Sequence, residues 1–111
     1  LQINFDSINQ NLIVYFKGEL DHHTAEEIRK EIDKIYFEKR YKNIILNLNN
    51  LNFMDSSGIG LLMGRFKLVS QNNGKLCITN VSPRVEKILK MSGILKIVDI
   101  YSDVKSASDN I

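Results

Sequence analysis

Apolar runs of strand length alternate with amphipathic runs of helix length along this chain, and a turn or capping residue marks each change-over. Leu1, Ile3 and Phe5 alternate with polar residues, as a half-buried strand does. The run LIVYF at 12–16 is apolar on both faces and rich in β-formers, which predicts a central strand. Asn9-Gln10-Asn11 is the turn between them, so the two strands form an antiparallel hairpin, and Gly18 is expected to end the second. Asp21 is the expected N-cap of a first helix, with Glu26 and Glu27 at its positive end and Ala25, Ile28, Ile32, Ile35 and Tyr36 on one face. Residues 44–48 (IILNL) form the next buried strand. Ile59, Leu62, Met63, Phe66 and Val69 then follow helical spacing to about Gln71, where Asn73-Gly74 stops the helix. Residues 75–81 are a strand, and Ser82-Pro83 opens a third helix that buries Val85, Ile88 and Leu89 and ends at Gly93. A last strand over 97–101 and a short helix from Ser102-Asp103 complete the chain.

The order β-β-α-β-α-β-α-β-α predicts an α/β fold: one domain over 1–111, with a mixed, mostly parallel sheet of four to five strands and an antiparallel edge strand. A chain of 111 residues holds one such core and little more. Functional sites of these sheets lie where strands end and helices begin. Two segments occupy such places: GELDHH at 18–23 and FMDSSGIGLLMGRF at 53–66.

Composition removes several function classes. The formal net charge is +2 and the basic residues are scattered without an aromatic platform, so no nucleic-acid partner is expected. Lys34, Lys39, Arg40 and Lys42 are read as a solvated helix end favoured by the helix dipole. The single cysteine, Cys77, sits in an apolar run and is read as a buried structural thiol of a cytoplasmic protein. No apolar run approaches the roughly 18 residues of a membrane span and no signal peptide is visible, so no membrane association is expected.

Four readings compete for Asp55-Ser56-Ser57-Gly58. The plainest is a helix cap with glycines for close packing. A phosphate-binding loop fits poorly, because Gly58, Gly60 and Gly64 are spaced G-x-G-x-x-x-G and no G-x-x-x-x-G-K-[ST] occurs. A hydrolase using Ser56 or Ser57 would need a nucleophile elbow and a base, and the only histidines are the adjacent His22 and His23. No catalytic set, metal site or cofactor is therefore expected. The fourth reading is a phosphorylation switch. In one version Asp55 accepts phosphate as in a response-regulator receiver, helped by Glu19 and Asp21, although the paired opening strands do not fit a receiver. In the other, Ser56 or Ser57 accepts it: a phosphoserine adds about −1.5 to −2 charges, which a helix start tolerates. The fold then survives modification and only the surface changes.

GELDHHTAE (18–26), FMDSSGIGLLMGRFK (53–67) and MSGILKI (91–97) resemble the anti-sigma factor antagonists of spore-forming bacteria, in the STAS domain family. The resemblance spans nearly the whole chain and is nearest to the sporulation branch that regulates sigma-F. It implies a binding module and not an enzyme. The unphosphorylated form would bind a serine kinase that doubles as the anti-sigma factor, and so free the sigma factor. That kinase would phosphorylate Ser56, the serine directly after Asp55, and release it, and a manganese-dependent PP2C-type phosphatase would restore it. The implied partner-facing set is Asp21, Asp55, Ser56, Ser57, Gly58 and Gly60, with the glycines shaping the turn and Ser57 read as the helix start. A monomer is expected. The alternatives are a STAS module of another partner-switching pathway, such as the general stress response, and the receiver reading on Asp55.

Overall fold

The computed structural model describes all residues, 1–111. The elements in chain order are β1 (Gln2–Ile8), β2 (Asn11–Leu20), α1 (Ala25–Glu38), β3 (Asn43–Met54), α2 (Ser56–Gln71), β4 (Leu76–Thr79), α3 (Pro83–Ser92), a 3-10 turn (Ile94–Lys96), β5 (Asp99–Tyr101) and α4 (Val104–Asn110). The five strands lie in sequence order, β1-β2-β3-β4-β5. β1 runs antiparallel to β2 and every other pair is parallel, as the alternation of elements predicts.

Three parallel crossovers each step to the neighbouring strand in the same direction. Right-handed crossovers of that kind must place their helices on one face of the sheet. The side-chain clusters agree. Leu12, Val14 and Phe16 of β2 and Ile44, Leu46 and Leu48 of β3 pack with Ile28, Ile32 and Tyr36 of α1, Leu61, Leu62 and Val69 of α2, and Val85 and Leu89 of α3. The strand pleat sends the intervening residues Ile13, Ile45 and Cys77 to the opposite face, where Ala107 of α4 covers them. LIVYF is apolar on both faces because both are covered at that level. No helix is long and apolar enough to cross a membrane.

Several local expectations are corrected. Gly18 does not end β2. It takes φ +115°, at a register shift where Gly18 pairs Leu51 and Glu19 pairs Phe53, and β2 continues to Leu20. β3 runs twelve residues, well past Leu48, and so carries the chain to the edge where α2 begins. β4 and β5 are shorter than predicted: β4 lacks Lys75, Asn80 and Val81, and β5 begins at Asp99 because Ile97 and Val98 still belong to the turn that follows the 3-10 segment. α1 starts at Ala25, not beside Asp21; Thr24 holds the N-cap position without a side-chain cap bond. Lys39, Arg40 and Lys42 lie beyond α1, whose last turn has no basic residue, so the dipole argument for that cluster fails. The remaining helix ends follow their sequence signals. Ser82 Oγ accepts the Val85 N–H at 3.2 Å behind Pro83, Gly93 closes α3 at φ +84°, and Asp103 Oδ1 accepts the Ser106 N–H at 2.8 Å at the start of α4.

Candidate functional site

β2 and β3 end in register, with Leu20 opposite Met54, so the two segments singled out in the sequence emerge side by side at one edge of the sheet. The Asp55 N–H donates to the Leu20 carbonyl at 3.2 Å and extends the pairing by one bond. Asp55 then leaves the strand in extended conformation and caps α2. Its Oδ1 accepts the N–H groups of Ser57 at 2.8 Å and Gly58 at 3.3 Å. Its Oδ2 accepts the N–H of His22 at 3.3 Å, with His22 Nδ1 3.8 Å away. One carboxylate thus satisfies two helix-start donors and ties the 21–24 turn to the 55–58 turn.

Asp21 organises the other turn. Its Oδ1 accepts from the N–H of His23 at 2.9 Å and of Thr24 at 3.2 Å, and Thr24 Oγ1 accepts from the Asp21 N–H at 3.1 Å. Desolvation pushes the Asp21 carboxyl up, but the hydrogen bonds from His23 and Thr24 outweigh it and hold the group below its ordinary 3.8. Asp21 therefore caps a turn that precedes α1, which explains why its cap signal stands four residues ahead of the helix.

Ser56 is the first residue of α2 and is exposed, whereas Ser57 is half-buried. Gly58 is buried: a Cβ there would lie 2.9 Å from Met54 Cβ and 3.0 Å from the Leu20 carbonyl oxygen. It seats the first turn of α2 against β2 and shapes the surface from beneath. Gly60 is exposed, and a Cβ there would meet nothing within 4 Å. Asp21, Asp55, Ser56, Ser57 and Gly60 thus share one end of the molecule, with Gly58 under them. Thr24 and the His22 N–H were missed in the sequence. Thr24, three residues after Asp21, follows an Asx–Thr turn spacing that could have been read; the His22–Asp55 bond joins residues 33 apart and has no local signal.

Both Asp55 oxygens are occupied by backbone donors, and no group of three or more His, Cys, Asp or Glu side chains is placed to hold a metal ion. A receiver that phosphorylates its aspartate needs a free carboxylate oxygen and such an acidic cluster, so the geometry disfavours Asp55 as acceptor. What remains reactive and accessible is a hydroxyl at the positive end of a sixteen-residue helix, whose first turn holds no acidic residue.

The class of protein follows from this fold and this site together with a match over residues 2–107 to the STAS domain: the chain belongs to the STAS domain family, whose members of this kind are regulatory binding modules and not enzymes. Within it the chain is similar to the anti-sigma factor antagonists. It is 42% identical over 107 residues to the anti-sigma F factor antagonist of Paenibacillus polymyxa, covering 96% of this chain and 92% of that one. It is 28% identical over 102 residues to the anti-sigma-B factor antagonist of Staphylococcus aureus, covering 90% and 94%. Among solved structures it is similar to the anti-sigma factor antagonist SpoIIAA, at 29% identity. The unphosphorylated form superposes with a TM-score of 0.75 over 97% of this chain and 96% of that one. The phosphorylated form, from Bacillus, gives 0.74 over 97% and 98%.

Proposed function

We propose that this chain is a cytoplasmic, monomeric anti-sigma factor antagonist of the sigma-F type, switched by phosphorylation of Ser56. The observation that carries the reading is the position of Ser56: exposed, first in α2, and held by a capped turn that does not use its hydroxyl. A phosphate there faces the helix dipole and bulk water, so the domain keeps its fold while its surface gains about two negative charges. The greater identity to a sigma-F antagonist than to a sigma-B antagonist favours the sporulation branch over the general stress response. The existence of a phosphorylated form of SpoIIAA supports the chemistry.

In this reading the unmodified Ser56 face, with Asp21, Asp55, Ser57 and Gly60 around it, docks on an anti-sigma factor serine kinase and frees the sigma factor. Transfer of the ATP γ-phosphoryl to Ser56 Oγ, with loss of the hydroxyl proton, leaves ADP and a charged surface that the kinase no longer fits. A PP2C-type phosphatase hydrolyses the ester and resets the module. Incubation with candidate anti-sigma kinases and ATP, followed by mass spectrometry, tests this: the phosphate belongs on Ser56, and label on another residue refutes the site. Ser56→Ala is expected to stay folded and unlabelled, and Ser56→Asp to bind the kinase more weakly. An acid-labile phosphate formed from acetyl phosphate would instead return the assignment to Asp55. Asp21→Ala is expected to weaken kinase binding beyond any loss of stability, read by calorimetry of binding beside thermal melting.

A further inference from the structure

One buried polar group lacks the partner that its burial demands. Arg65, in the third turn of α2, is 7% exposed at its side chain, and its Nε lies 2.9 Å from Asp33 Oδ1 on α1. The contact is close, but the N–H is not aligned on the oxygen: Arg65 Nε and Nη1 and Asp33 Oδ1 are buried without a hydrogen bond. Asp33 also receives Arg29 Nη1 at 3.5 Å, and the rest of the Arg29 guanidinium is committed to Glu26. Arg65 is thus a permanently charged, desolvated fork with an open donor. It borders a groove of about 220 Å³ between α1 and α2, walled by Glu26 and Arg29 on one side and Ser57, Gly60 and Gly64 on the other. Cβ atoms added at Gly60 or Gly64 would meet nothing within 4 Å, so the α2 wall is low and the groove opens to solvent. Ser57, Gly60 and Gly64 lie on one helix face, which leads from Arg65 up to the turn that carries Ser56.

We propose that this groove is a slot for an acidic side chain of the protein that docks on the Ser56 face. Its carboxylate takes the donor that Arg65 leaves open, with Arg29 flanking it. The inference rests on the functional reading above and supplies the chemistry of the partner. A planar, bidentate acceptor suits the guanidinium fork, and an anion offsets a buried cation whose two counter-charges, Asp33 and Glu26, are both shared with Arg29. The slot also gives the switch its repulsive element. Its upper end, at Ser57, adjoins Ser56, so a phosphate on Ser56 adds negative charge at the mouth through which the carboxylate must enter.

The test uses the full chain and the anti-sigma kinase that phosphorylates it. Gly64→Leu fills the slot without touching Ser56 or Asp55, and leucine favours a helix over glycine. Its affinity for that kinase, measured by calorimetry, is expected to fall at least about tenfold at an unchanged or raised melting temperature. Arg65→Met is expected to lose affinity likewise and to flatten the salt dependence of binding; where it does not fold, Gly64→Leu alone decides. Wild-type affinity in Gly64→Leu overturns the slot, and an unaltered salt slope in folded Arg65→Met overturns its carboxylate occupant. A panel in which no kinase binds the wild-type chain overturns the functional reading itself, and the slot with it.

Discussion

Ser56 and Ser57 are neighbours with the same chemistry and different surroundings. The first is exposed at the head of α2; the second is half-buried and gives its N–H to Asp55. A kinase must reach the oxygen it modifies, and that requirement separates the two where residue type cannot. Cys77 shows the converse, a reactive group made inert by position. Burial, helped by the charge of Asp99, pushes its thiol up to about 12. At neutral pH it carries on the order of a thousandfold less thiolate than a free cysteine near 8.5. Ellman's reagent at pH 8 is therefore expected to label the native chain far more slowly than the unfolded one, and a native rate equal to that of the denatured chain would show that the α4 face of the sheet is open. The inert thiol was legible in the apolar stretch around Cys77, Leu76 to Ile78, because such a stretch signals burial.

At the scale of the element, the first turn of α2 depends on two devices: the Asp55 cap, and the fit of Gly58 against β2. The cap was visible in the motif. The fit was not, because Leu20 meets Gly58 only once β2 has continued past Gly18 and brought a second strand end alongside. The two glycines that look alike in G-x-G consequently differ in role. Gly58→Ala forces a methyl against the Met54 side chain and the Leu20 carbonyl oxygen and is expected to destabilise the domain by about 1–3 kcal/mol. Gly60→Ala, in open space on an exposed helix position, is expected to be neutral or to stabilise by up to about 1 kcal/mol. Chemical denaturation of the pair measures the contrast, and equal losses would mean that α2 does not seat on β2 through Gly58. The buried stripe of α1 was legible, because the 3.6-residue period belongs to the sequence; in α2 the predicted stripe caught Leu62 and Val69 but missed the buried Leu61 and Arg65, and Ile59, Met63 and Phe66 are only half-buried. The short strands and the 3-10 turn before β5 were not, because where a strand stops is decided by its neighbour running out of pairing partners.

For the whole molecule, the turn and helix caps couple stability to pH. Asp21 is held below its ordinary 3.8 by the bonds described above, and Asp103 likewise by the Ser106 N–H and hydroxyl. A carboxyl with a lowered native pKa contributes stability that is fully present above the unfolded value and is lost as pH falls through the native one. The midpoint of urea denaturation is therefore expected to hold down to about pH 4 and to fall below it, and Asp103→Asn to soften that fall. A midpoint insensitive to pH in that window would remove the caps as a source of stability. The sequence by itself determined the alternation of elements, the parallel sheet with its antiparallel edge, and the place of Asp55-Ser56 at a strand-to-helix junction. These follow from periodicities and caps that act over a few residues. Only the tertiary structure decided that α1, α2 and α3 share one face while α4 covers the other, that the ends of β2 and β3 stand together so that Asp55 binds the turn made by Asp21, and that Arg65 lies buried beside an open groove. Those features join residues tens of positions apart, through crossover handedness and strand register that no short stretch of chain encodes.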